Sequence, residues 1–168
     1  MTKLTSRNTK RILAIAPSSR GFGFAVLEEG KILVDWGVRS IRTDKNRGAL
    51  KKAEAMIAHY DPAVLVLPNA AAEGSRRSSR IRKLIAEITA VSTRRKMKVD
   101  LMSRNQVIAA FFEDGAGTKH TVAQVLARRF PQELSHRLPP KRKPWNSEDY
   151  RMGIFDAVAL AFANALQN

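Results

Sequence analysis

The sequence predicts an α/β fold, a mixed sheet of three antiparallel strands followed by parallel strands, with helices on its faces. Two apolar runs, 12–16 and 22–27, flank a tight turn, and a third run, 31–36, follows the hairpin signal Glu29-Gly30. Segments with helical apolar spacing then alternate with short strand-like runs. A meander followed by this alternation is typical of a mixed sheet flanked by helices.

The later elements follow in order along the chain. Asp61-Pro62 ends the first predicted helix, Ser103 is the predicted cap of a helix that runs through Phe112, and Gly115-Ala116-Gly117 breaks the chain after it. We expect helices at about 47–59, 78–95, 104–112, 119–129 and 148–166, and two further strands at about 63–67 and 98–102.

Composition limits the class of protein. With 168 residues and 44% hydrophobic content, residues 11–168 are predicted to form a single domain. Residues 1–10 are polar and basic, which predicts a flexible tail and not a secretion signal. The longest apolar stretch, 153–166, is too short for a membrane span, and cysteine is absent. We therefore expect a cytoplasmic protein with no membrane partner and no disulfides.

The net charge is the most informative bulk property. Thirty Lys and Arg residues against fifteen Asp and Glu residues give a formal charge of +15. Such an excess attracts polyanions through phosphate contacts and counterion release. Nucleic acid is the predicted partner, and an acidic protein or a membrane surface is the alternative.

Two basic clusters carry this prediction. "SRRSSRIRK" spans Ser75–Lys83 at the start of a predicted helix, where cations oppose the helix dipole, so local stability does not explain them. "LPPKRKPW" spans Leu138–Trp145 and is either a phosphate clamp or a plain solvated loop. The candidate nucleic-acid-binding residues in the two clusters are Arg76, Arg77, Arg80, Arg82, Lys83, Lys141, Arg142 and Lys143.

Other patterns carry less chemistry. The three histidines lie far apart, with no ligand spacing. Gly115-x-Gly117-Thr118-Lys119 lacks the spacing of a nucleotide-binding P-loop, so no nucleotide cofactor is expected. Lys119 is either a contact to the DNA backbone or simply a lysine at the start of a helix.

Three stretches together resemble the RuvC-type Holliday junction resolvases, which have the ribonuclease H-like fold. "ILAIAPSSRGFGFAVLE" resembles that family's opening pattern, ILGIDPGSRxTGYGVI. "SRNQVIAAFFEDGAGTKHTVAQVLARRF" (Ser103–Phe130) resembles its run from the fifth strand through the glycine and lysine segment. "IFDAVALAFANAL" (Ile154–Leu166) resembles its last helix. The resemblance covers about residues 11–166.

The resemblance implies a two-Mg²⁺ site held by four carboxylates, because hard Mg²⁺ prefers oxygen ligands and two ions clamp a reacting phosphodiester. Carried over residue by residue, the first acid falls on Ala16 and the second on Pro68 or Asn69. The pair on the last helix falls on Gly153 and Asp156. Because Asp156 alone is an acid, weak Mg²⁺ binding and poor cleavage are expected.

Neighbouring acids are candidate substitutes. On the last predicted helix, Asp149 and Asp156 differ by about 20° of rotation, so both are candidate catalytic residues and metal ligands. Glu148 lies about 80° from Asp156 and is expected to stay outside the site. After a Ser147 cap, acids in the first turn also simply complement the helix dipole. Glu73 is a further alternative, although a solvated loop acid is the simpler interpretation.

These observations predict a protein that binds structured, branched DNA and resembles a Mg²⁺-dependent junction endonuclease whose cleavage is lost or silenced. A basic scaffold that binds nucleic acid or protein with no nuclease role is the alternative. A homodimer is expected, because a four-way junction has two-fold symmetry. Both natural degeneration and deliberate inactivation by an acid-to-alanine change fit the sequence.

Overall fold

The computed structural model describes residues 10–72 and 74–168, which form a five-stranded mixed sheet with helices on both faces. Most of the predicted tail, and the candidate acid Glu73, lie outside the described residues. The strands are β1 (Arg11–Pro17), β2 (Gly21–Glu28), β3 (Ile32–Ser40), β4 (Val64–Pro68) and β5 (Lys98–Met102).

The sheet has the spatial order β3-β2-β1-β4-β5. Strand β1 pairs antiparallel with β2, which pairs antiparallel with β3, while β4 is parallel to both β1 and β5. The two inner parallel strands, β1 and β4, therefore end at the same edge of the sheet. This arrangement confirms the predicted fold class.

Helices cover both faces of the sheet, and they comprise the five predicted helices and one short helix, Pro131–Leu134, that was not predicted. Ser78 caps the second helix through its Oγ, and Ser103 and Thr118 each form a reciprocal capping box with the third residue of their helices. The helices are α1 (Lys45–Tyr60), α2 (Ser79–Arg94), α3 (Arg104–Phe111), α4 (Lys119–Arg129), α5 (Pro131–Leu134) and α6 (Met152–Gln167).

Two apolar layers hold the helices to the sheet. Leu13 and Ile15 of β1 pack against α1 and α2 on one face. Ile12, Ala14 and Ala16 point to the opposite face, where they pack with α4 and α6. The alternation along β1 is the expected period of two, and burial on both faces explains why the strand is almost wholly apolar.

The last helix differs from its prediction. It begins at Met152 and not at 148, and Ser147 does not cap it. Asp149, Tyr150 and Arg151 instead form a turn in which the backbone N–H groups of 152 to 154 bond to carbonyls three residues back. Asp149 and Asp156 therefore do not share one helical face as predicted, because Asp149 is not on the helix.

Candidate nucleic-acid interface

A cleft of about 1030 Å³ opens where β1 and β4 end, beside the start of α6. The carboxyl ends of parallel strands and the loops that follow them are a usual place for a binding site in an α/β sheet. Five basic and three acidic residues line it among the described residues: Arg20, Arg76, Arg77, Arg104 and Lys119, with Glu148, Asp149 and Asp156.

The positions to which the resemblance assigns acids all line this cleft. Ala16 is 6% exposed and faces the α6 side of the sheet, as do Val64 and Val66 of β4. By the same alternation Pro68 points to the α6 side, whereas Asn69 follows the strand. The Asn69 side chain accepts a hydrogen bond from the backbone N–H of Ala71 at 3.1 Å, so it stabilises its own loop.

The start of α6 packs closely on the sheet through two glycines. A Cβ added at Gly23 would overlap the carbonyl of Gly153, so a larger residue at Gly23 would push the helix away. A Cβ at Gly153 would meet nothing closer than Gly23 Cα at 3.5 Å, an ordinary contact. Packing therefore explains Gly23 but does not require glycine at the position where the resemblance has an acid.

Lys119 links two of the three acids that line the cleft. Its Nζ lies 3.2 Å from an oxygen of Glu148 and 3.2 Å from Asp156 Oδ2. The side chain of Asp156 is 28% exposed, against 43% for Glu148 and 46% for Lys119. Glu148, which the rotation argument placed outside the site, thus shares a lysine with Asp156, because the residue belongs to the loop before α6 and not to the helix.

The titration of these groups reflects their mutual contacts. Burial is the main cause that raises the pKa of Asp156, and Glu148 adds to it, while Lys119 and Arg77 act in the opposite direction. Burial alone would lower the pKa of Lys119, but Asp156 and Glu148 together raise it above its ordinary value. Burial lowers the pKa of Arg77, which Asp156 partly offsets.

Asp149 lines the cleft but is held by a neighbour. Arg151 donates to both Asp149 carboxylate oxygens, with Nε at 3.0 Å and Nη2 at 2.8 Å. The side-chain hydrogen bonds from Arg151 are the main cause that lowers the pKa of Asp149. Its role as a metal ligand stays a prediction, and its described partner is a guanidinium.

The first basic cluster divides into different roles. Arg76 and Arg77 lie in the loop before α2 and line the cleft, while Arg82 and Lys83 are exposed on the helix. Arg80 donates to Asn46 Oδ1 at 3.0 Å and to the Ser18 carbonyl at 3.2 Å, so its guanidinium ties α2 to α1 and to the turn after β1.

The second basic cluster is a solvent-exposed loop that carries an aromatic residue. Lys141, Arg142 and Lys143 are exposed, and Trp145 is 77% exposed with Lys143 Nζ 5.6 Å from its ring centroid. Tyr150, 53% exposed, lines the cleft. Cations beside open aromatic faces are a usual surface for nucleic-acid bases and phosphates.

Arg20 and Arg104 are cleft residues that the sequence prediction missed. Arg20 lies in the turn between β1 and β2, and Arg104 is the first residue of α3 after β5. Each follows a strand that ends at the edge of the cleft, and this position after a strand is the sequence feature that could have identified both residues. Both were passed over because neither belongs to a dense basic run.

The donor set does not fit the two-metal site that the resemblance implies. Ala16 and Pro68 offer no side-chain oxygen, Gly153 has no side chain, and Asp156 is paired with Lys119. Within residues 10–72 and 74–168, no three His, Asp or Glu side chains converge as metal ligands. In this described part of the chain there is also no helix with the length and apolar character needed to cross a membrane.

No family model and no curated protein sequence matches the chain. Solved protein structures do match the chain. A Thermus thermophilus RuvC structure aligns with a TM-score of 0.66 and 16% identity over 93% of each chain. T. thermophilus RuvC in complex with Holliday junction substrate aligns at 0.60 and 14% identity, over 94% of this chain and 93% of that one. The yeast mitochondrial Holliday junction resolvase Ydc2 aligns at 0.58 and 11% identity, over 94% and 82%.

Identities this low show the fold alone. The chain has the ribonuclease H-like fold of RuvC-type structures, as the three sequence stretches predicted.

Proposed function

We propose that this protein binds branched DNA without cutting it, through the cleft at the ends of β1 and β4. The charge of the cleft carries the proposal. Five basic residues line it against three acids, and each acid already contacts a basic side chain: Asp149 with Arg151, and Glu148 and Asp156 with Lys119. A phosphate that enters the cleft therefore meets an excess of donors.

Exposed aromatic residues favour a branched partner over plain duplex. Trp145 belongs to the basic loop, Tyr150 lines the cleft, and both side chains are largely exposed. Bases at a branch point are easier to unstack than bases within a duplex, and stacking on an aromatic ring is worth about 1–3 kcal/mol per base. A solved structure with the same fold is in complex with Holliday junction substrate, which supports this choice of ligand.

Competition binding tests the ligand. Fluorescence anisotropy should give at least tenfold tighter binding, about 1.4 kcal/mol, to a four-way junction than to linear duplex of equal length. Heparin serves as the competitor without base pairs or branches. Equal affinity for junction, duplex and heparin would support the second candidate, a basic scaffold with no preference for DNA shape.

The side chains at the strand ends and at the start of α6 support the proposal that the protein does not cut DNA. Two-metal hydrolysis needs several carboxylates to position both ions, and the chain offers Ala16, Pro68 and Gly153 where the resemblance has acids. We expect weak or no Mg²⁺ binding, and DNA that stays intact in Mg²⁺ during incubation with the purified protein.

Restoring the acids tests this half of the proposal. Ala16→Asp combined with Pro68→Glu returns two carboxylates to the α6 side of the sheet, and their joint gain in Mg²⁺-dependent nicking should exceed the sum of the single gains. Asn69→Asp in place of Pro68→Glu tests the other candidate position of the second acid, which also lines the cleft but lies past the end of β4. Adding Asp156→Asn should abolish the gain.

Each outcome of the restoration has a distinct meaning. Robust Mg²⁺-dependent cleavage by the unmodified protein, surviving Asp156→Asn, would contradict the site assignment. Intact junction binding with no cleavage by the restored protein would indicate a site that has drifted beyond two repairs. That result would favour natural degeneration over deliberate inactivation.

A homodimer is the assembly that matches this ligand. A four-way junction has two-fold symmetry, so two copies of one cleft related by a dyad would engage it equivalently. Light scattering of the protein with and without junction DNA tests this, and a complex of one chain per junction would contradict it.

A further inference from the structure

The ammonium of Lys119 lies between two carboxylates that come from different segments. Nζ is 3.2 Å from both oxygens of Glu148, in the loop before α6, and 3.2 Å from Asp156 Oδ2, on α6 itself. One cation shared by two acids from separate segments, inside a cleft at the strand ends, is the electrostatic arrangement that a divalent ion would otherwise supply.

Local structure does not account for a lysine at this position. Lys119 is the first residue of α4, where a cation opposes the helix dipole. The helix start is nevertheless firmly defined, because Thr118 and Thr121 cap each other, with Thr118 N–H to Thr121 Oγ1 at 2.7 Å. Gly117 packs so closely on Phe112 that a Cβ there would overlap the ring. These contacts direct Lys119 towards the acids.

Two positively charged side chains already act on Asp156. Lys119 of α4 contacts the Asp156 carboxylate, and the carboxylate of Glu148 contacts the same ammonium group. Arg77, from the loop before α2, acts on Asp156 as a further positive charge. A Mg²⁺ ion would have to displace or repel two resident cations and would gain few oxygen ligands in return.

We infer that Lys119 is a built-in cation that takes the place of a divalent metal ion, so that the cleft holds a DNA phosphate with no metal bound. This deepens the proposed function and rests on it for the ligand. The ammonium of Lys119 offsets one of the two negative charges of Asp156 and Glu148, and Arg77 acts on Asp156 as a second positive charge. Other arginines that line the cleft, such as Arg20, Arg76 and Arg104, remain to meet the phosphate.

Metal binding by the free protein tests the inference without DNA. Titration with Mn²⁺, followed by electron paramagnetic resonance, should detect no ion held in the cleft of the unmodified protein. Lys119→Ala frees Glu148 and Asp156, and should bind Mn²⁺ at least tenfold more tightly than the unmodified protein. Adding Asp156→Asn should remove the new site. Lys51→Ala, an exposed lysine on α1, is the matched control and should bind no Mn²⁺.

A second measurement uses junction DNA. Junction affinity of the unmodified protein should be the same in EDTA and in Mg²⁺ at matched ionic strength. Lys119→Ala should bind at least tenfold more weakly in EDTA and recover part of that loss when Mg²⁺ is added. If Lys119→Ala is shown by circular dichroism to be unfolded, Lys119→Gln keeps a side chain of similar length and serves in both measurements.

The outcomes separate this inference from the proposed function. Mn²⁺ bound by the unmodified protein and lost in Asp156→Asn would overturn the inference, as would Lys119 variants that fold but gain no Mn²⁺ binding. A gain of Mn²⁺ binding in a protein that binds no DNA would support the built-in cation and overturn the proposed function instead.

Discussion

The two basic regions of this protein hold their charges in different ways. In the cleft, Lys119 is fixed between Asp156 and Glu148, and Arg77 is partly buried beside them. In the loop 141–143 all three cations are exposed, and Lys143 lies against an open tryptophan ring. The cleft sits at the end of a rigid sheet, whereas the loop connects the helices α5 and α6 through an irregular segment.

This difference predicts different roles for the two regions: the cleft discriminates between DNA shapes, and the loop attracts polyanions in general. Charges held at fixed positions bind most tightly a ligand whose phosphates match their geometry, so we expect the cleft to bind one DNA shape in preference to others. Exposed charges on a loop attract any polyanion and are screened by salt. Variants in each region can test whether the cleft and the loop contribute to DNA binding in these different ways.

The largest effect is expected in the cleft. Arg76→Glu with Arg77→Glu should weaken junction binding by at least about 100-fold, because two charge-assisted contacts are lost and each is worth about 1.5–3 kcal/mol. The preference for junction over duplex should fall as well. Lys51→Glu with Lys52→Glu on α1 makes the same change in net charge away from the cleft. An equal loss in both double variants, measured by anisotropy, would remove the cleft from the interface.

A smaller and less selective effect is expected in the loop. Lys141→Glu with Lys143→Glu should weaken junction and duplex alike, about tenfold, and should lower the slope of log affinity against log salt by about 0.9 for each lost phosphate contact. Affinity is measured for both DNAs from low to high salt. A change in the junction-to-duplex ratio as large as that of the cleft variant would contradict the division between the two regions.

Arg80 and Arg82 lie on the same helix, α2, but Arg80 is held by hydrogen bonds to other elements whereas Arg82 is exposed. Arg80→Gln should lower the free energy of unfolding by about 1–2 kcal/mol, because its hydrogen bonds to Asn46 and Ser18 are lost. Arg82→Gln, at an exposed position, should change stability by less than about 0.5 kcal/mol. Urea unfolding measures both, and similar values for the two would show that the Arg80 contacts are not structural.

The smallest effect concerns a polar pair outside both basic regions. The pKa of Tyr60 is raised to about 12. Burial is the largest cause, and the hydrogen bond that the Tyr60 hydroxyl donates to Asp35 is the next. Asp35→Asn removes the negative charge, so the pKa should fall while burial keeps it above the ordinary value of about 10. Ultraviolet titration of tyrosine ionisation follows the change. An unaltered titration in the variant would show that Asp35 does not act on Tyr60.

Sequence patterns alone predicted most of the fold. The apolar runs of β1 to β3 alternate or are buried on both faces, and Ser103 caps its helix as expected, because strand burial and capping depend on residues close together in the chain. Ala16 at the end of β1 was visible in the same way, since its position follows from the strand that precedes it.

Tertiary structure decided which polar side chains meet. Because α6 begins at Met152, Glu148 and not Asp149 shares Lys119 with Asp156, and β4 ends at Pro68, before Asn69. No local pattern contains these facts, because the partners Lys119 and Asp156 are thirty-seven residues apart. Hydrophobic periodicity sets each element from its own residues, whereas the partner of a charged side chain depends on how distant elements pack.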